Sequence, residues 1–126
     1  MTYSLEQVSL FTWTDAAVAN GIAPDDDKPV NLTQCEDYEI QIDTTATGHT
    51  AASVDLGALF SLEESIGTEY IDTVVTNLGI TAFGDGLRQT FHVANGRAGW
   101  MYPRLDVNDN VGNVTVRIRK RQHRGV

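Results

Sequence analysis

Two stretches of this chain alternate apolar and polar residues with period two, and they constrain the fold more than any other feature. Tyr38, Ile40 and Ile42 interleave with Glu39, Gln41 and Asp43. Val114, Val116 and Ile118 interleave with Thr115, Arg117 and Arg119. Successive side chains on a strand point to opposite faces, so each stretch predicts a strand with one dry and one wet face. Ser9 to Thr14, with Phe11 and Trp13 on one face, fits a first strand. Val54 to Leu56 and Ala58 to Phe60 fit another, broken at Gly57. Ile71 to Thr76 is rich in β-branched residues, which favour sheets over helices.

Turn chemistry separates these runs. Thr90 to Ala94, Asn95-Gly96, then Arg97 to Tyr102 predicts a hairpin, because Asn-Gly accepts the positive φ of a type I′ turn. Pro103 is expected to end clean pairing or mark an edge. Helical signals are short. Ser61-Leu62-Glu63-Glu64 matches a capping box, ended by Gly67. Asp15 to Ala19 fits one further turn of helix, ended by Asn20-Gly21. Six or so short strands and one or two helical turns predict an all-β fold, an antiparallel β-sandwich of jelly-roll or Ig-like type.

The 126 residues suit one domain, and the 41% hydrophobic content is enough for a core. No apolar run approaches the roughly 20 residues of a membrane-spanning helix. The first residues lack a basic flank followed by an apolar stretch, so no signal peptide is expected. The single cysteine, Cys35, excludes an intramolecular disulfide, and neighbouring Glu36 and Asp37 blunt its reactivity.

Charge is segregated along the chain. The net charge is -8, from 17 acids and 9 bases. Residues 117–126 hold five of those bases and no acid, so the chain divides into an acidic body, 1–116, and a basic strand end and tail, 117–126. The total excludes a whole-surface nucleic-acid interface and leaves only the C-terminal tail able to touch phosphate. The lysine-poor acidic body suits a salt-rich setting, marine or halophilic. Arg117, Arg119 and Arg121 project from one face of the last strand, with Arg124 beyond. Arginine pairs directionally with carboxylates, so a basic end on an acidic body predicts protein docking, including a homo-oligomer.

Other constellations are weaker. Asp106-Val107-Asn108-Asp109-Asn110 resembles the inter-repeat calcium motif of cadherins. That resemblance implies calcium ligands at Asp106, Asn108, Asp109 and Asn110, whereas local turn chemistry explains the same residues without a metal. As an EF-hand loop the string fails, since Arg117 stands where a bidentate Glu is needed. Asp25-Asp26-Asp27 is expected to be a solvated loop. Trp100 and Tyr102 share a strand face and, with Arg97 nearby, could stack on a sugar ring or pack inside. His49, His92 and His123 form no catalytic spacing, and no serine sits in a Gly-x-Ser-x-Gly elbow. No enzyme is predicted.

In size, strand-turn texture and charged tail, the chain resembles the small β-sandwich structural proteins of tailed viruses, such as head decoration, turret or tail components. The resemblance implies a non-enzymatic assembly protein, located in the virion and bound to a capsid or tail protein or to its own copies. Outside a virion, the expected location is the cytoplasm. The alternative is a carbohydrate- or ligand-binding module, with calcium as the one conceivable cofactor.

Overall fold

Alternation in the sequence becomes alternation in burial. In a computed structural model, residues 8–16, 19–44, 53–63, 70–83, 88–97, 99–108 and 112–122 are described. The strands are β1 (Ser9–Ala16), β2 (Ala19–Ile22), β3 (Val30–Asn31), β4 (Cys35–Thr44), β5 (Ser53–Ser61), β6 (Thr76–Phe83), β7 (Arg88–Ala94), β8 (Trp100–Val107) and β9 (Gly112–Gln122). No helix occurs among the described residues.

The strands form two antiparallel sheets, one ordered β1-β9-β4-β7 and the other β2-β8-β5-β6, with β3 added to β8. The first strand pairs with the last, β2 with β8, β4 with β7 and β5 with β6. These nested pairs describe a long hairpin rolled up on itself, which is the jelly-roll order and not an Ig-like one.

The dry faces meet between the sheets. One sheet contributes Phe11, Trp13, Tyr38, Ile40, Ile42, Val114, Val116 and Ile118. The other contributes Val54, Leu56, Ala58, Phe60, Ile80, Ala82, Met101, Leu105 and Val107. Burying each large aliphatic side chain contributes about 1.5–3 kcal/mol. Trp13 also satisfies its indole N–H, which donates to the Ile22 carbonyl at 2.9 Å.

Several expectations are corrected. The Asn95-Gly96 hairpin does not form: β7 pairs with β4 and β8 pairs with β5, so the two strands lie in different sheets. Neither Asn95 nor Gly96 takes the positive φ a type I′ turn needs. The Asn95 side chain instead donates to the carbonyls of Cys35 (2.8 Å) and Arg97 (2.7 Å), fixing a link between sheets. Pro103 lies inside β8, in the gap between the β2 and β3 pairings, where no strand needs its N–H.

Residues 70–75 are not strand; β6 begins at Thr76. β5 runs unbroken through Gly57, with only a register shift beside it. Asp15 and Ala16 belong to β1 and Ala19 to β2, so the helical turn at 15–19 is absent from the described residues. Ser61 ends β5, where its hydroxyl accepts from the Glu63 amide at 3.3 Å; Glu64 and Gly67 lie outside the described residues.

Candidate functional site

β9 is an interior strand, flanked by β1 and β4, and its arginines are set by that ladder. Register places Arg121 opposite Asp37, Arg119 opposite Glu39 and Arg117 opposite Gln41. On the far side of β4, Glu39 faces His92 and Asp43 faces Arg88. The wet face of the sheet therefore carries a basic column on β9 and an acidic column on β4, flanked on β7 by Arg88 and His92. Opposite charges on adjacent strands stabilise pairing, which favours β4 beside β9.

Most of these charges are engaged within the chain. Arg121 grips Asp37 through Nε, at 3.1 Å, and through a second short hydrogen bond from its terminal nitrogen. His92 Nε2 lies 3.3 Å from the same carboxylate. Arg117 donates to Asp43 at 2.5 Å, and Arg88 donates to the other oxygen at 2.6 Å. Burial raises the proton affinity of Asp37, but hydrogen bonds from Arg121 and His92 outweigh it and hold the carboxyl below the usual range. Burial acts likewise on Asp43 and is outweighed by Arg88 and Arg117. Arg121 is held above its ordinary value by hydrogen bonding to Asp37.

Arg119 differs. It is exposed, stands in register with exposed Glu39, and makes no ion pair among the described residues. On the same face of β1, Leu10 is 47% exposed, and Val8, just before the strand, is an exposed apolar side chain too. Arg124 lies outside the described residues.

The loop acids take separate partners. Asp25 accepts from the Thr14 hydroxyl (2.7 Å) and amide, and from the Thr12 hydroxyl. The Thr14 hydrogen bonds lead in holding its carboxyl below the usual range. Asp27 is gripped by both terminal nitrogens of buried Arg104, at 2.8 and 3.0 Å. Asp26 approaches Lys28 at 3.8 Å.

The carboxylate and carboxamide of the calcium-like string each accept a hydrogen bond from a backbone amide. Asp106 Oδ1 accepts from the Gly21 amide at 2.6 Å. Asn108 Oδ1 accepts from the Ser53 amide at 2.6 Å. Both act as side-chain clamps on neighbouring strands; Asp109 and Asn110 lie outside the described residues. No group of three or more His, Cys, Asp or Glu is arranged to hold a metal among the described residues.

Of the expected stacking residues, Tyr102 is only 5% exposed and Trp100 is half-buried, so Tyr102 presents no open ring to solvent. Arg97 lies elsewhere, its guanidinium 4.1 Å from the centre of the Phe60 ring. The two line an open cleft of about 650 Å³ at one end of the sandwich, with Leu62, Glu63, Tyr70 and Asp72. Three distant segments build this cleft, and no local pattern marks Phe60, Tyr70 or Asp72 as members. The role of Glu39 was equally hidden, because its partner is 80 residues away in register.

No family model matches the chain, and comparison with curated proteins and with solved structures returns no match.

Proposed function

We propose that this chain is a non-enzymatic assembly module that docks, through the wet face of the β1-β9-β4-β7 sheet, on copies of itself or on a capsid or tail protein of a virus particle. The observation that carries the reading is the columnar charge of that face, with exposed Arg119 and Glu39 at its centre and exposed Leu10 at its margin. Ordered charge of both signs favours a partner carrying the complementary order, and it gives specificity and salt dependence. Jelly rolls include capsid and lectin domains, so the fold is compatible with the virion setting by analogy alone. Sedimentation at low and high salt tests the docking. The mass should rise with protein concentration at low salt and fall back to monomer at high salt. A monomer at every concentration and salt would remove self-docking.

A second reading rests on the end cleft. Tyr70 is exposed, Arg97 lies over the ring of buried Phe60, and Glu63 and Asp72 supply acceptors, a combination that suits a sugar ring. A glycan array with Tyr70→Ala as control tests it. Binding that survives the substitution would place any sugar elsewhere.

A further inference from the structure

We infer that the wet face of the β1-β9-β4-β7 sheet is a two-fold interface with a second copy of this chain, its axis parallel to the strands and passing between β9 and β4. The inference rests on the docking reading above and supplies its geometry.

The gap between β9 and β4 is the middle of the four-stranded sheet. A two-fold axis along that gap lays β9 of one copy over β4 of the other, and β1 over β7. Rotation about an axis parallel to the strands keeps each residue at its own height. Residues in register within one sheet therefore face each other between copies. Arg119 is in register with Glu39, so Arg119 of each copy meets Glu39 of the other. Leu10, through Arg117 and Gln41, shares a level with Thr90, so Leu10 of each copy covers an uncharged residue of the other.

The alternative in-plane axis runs across the strands. It would lay each strand over its own copy, with the basic column of β9 on a basic column and the acidic column of β4 on an acidic one. Charge thus selects the first axis and disfavours the second. The contact is isologous, unlike the head-to-tail docking that a free basic tail would give. Arg117 and Arg121 are not free for that, since they are bound to Asp43 and Asp37 of their own chain. Four strands about 4.8 Å apart, over four rows of side chains, cover roughly 500 Å² per copy. The total is at the low end for a specific interface, which fits weak, salt-sensitive association.

The test is a charge swap with Arg119→Glu and Glu39→Arg, followed by sedimentation and by fluorescence energy transfer between labelled copies at low salt. Each variant alone places like charges in contact twice and should self-associate on the order of tenfold more weakly than wild type. Mixed together, the two variants restore both opposed pairs and should form a heterodimer near wild-type strength. Both variants stay net negative, so bulk attraction does not explain such pairing. The double variant in one chain should recover the homodimer, and circular dichroism checks that each variant is folded. If wild type associates but the mixture pairs no better than either variant alone, the two-fold is wrong while docking stands. If wild type never associates, both fall.

Discussion

Gly57→Ala adds one methyl group where the jelly roll has no room for it. A Cβ at Gly57 would lie 2.6 Å from Val75 Cγ1 and 2.8 Å from the Thr76 carbonyl oxygen. Val75 must move by about an ångström to restore ordinary contact. The carbonyl is backbone and cannot turn aside, so the pairing of β5 with the start of β6 must also give. Overpacking of this kind costs about 1–3 kcal/mol. Replacing glycine by alanine stiffens the unfolded chain and returns about 0.4–1 kcal/mol. The net loss is about 1–2 kcal/mol. At about 3–5 °C per kcal/mol for a domain of this size, Tm should fall by about 3–10 °C. Gly96→Ala is the control. A Cβ there meets nothing within 4 Å and its φ is not positive, so only the unfolded-state effect operates. Adding Val75→Ala to Gly57→Ala should recover part of the loss, because the Thr76 carbonyl stays in place. Calorimetric thermal unfolding measures all four proteins. If Gly57→Ala is as stable as Gly96→Ala, the close approach over β5 is refuted.

Three further perturbations follow from contacts described above. Trp13→Phe removes the indole donor from the Ile22 carbonyl and shrinks a side chain that is almost wholly buried, so urea unfolding should show a loss of about 2–4 kcal/mol; a loss below half of that would deny the hydrogen bond its role. Asp43 is held below the usual carboxylate range, so its folded value lies under its unfolded one and its stabilisation is present above about pH 4 and fades as acid protonates it. Asp43→Asn should therefore be less stable than wild type at neutral pH and converge with it in acid, and parallel urea midpoints across that range would contradict the assignment. Burial, aided by the charge of Cys35, pushes the Tyr38 phenol up to about 12, above its unfolded value. Its contribution is then complete below about pH 10 and lost as pH climbs towards 12. Tyr38→Phe should abolish that alkaline step, read by tyrosinate absorbance alongside unfolding.

Legibility in the sequence followed the range of the interaction. β4 and β9 were readable because one dry face and one wet face impose strict alternation within a few residues. Phe11 and Trp13 marked β1 for the same reason. β6 was missed because Ile71 to Val75 has the right residue types, while the pairing with β5 starts only at Thr76. The Asn95-Gly96 link looked like a hairpin since local turn preference is strong, yet the flanking strands find better partners in opposite sheets. At Asp106 and Asn108 the sequence left two readings, local turn chemistry and calcium ligation, because hard oxygens suit either an amide or a cation. Their amide partners, Gly21 and Ser53, lie 85 and 55 positions away and no local pattern names them.

By itself, the sequence determined the all-β character, the inward and outward faces of the clearest strands, and a basic stripe of arginines every second residue. Those properties depend on side-chain chemistry and the two-residue period of a strand, which are local. The tertiary structure decided what the stripe faces. Asp37, Glu39 and Asp43 lie more than 70 positions from their partners on β9, and only the rolled pairing brings the two columns together. A charge segregation that suggested a tail reaching outward is thus, for Arg117 and Arg121, largely satisfied inside one sheet. Register, a non-local quantity, is what sets exposed Arg119 beside exposed Glu39.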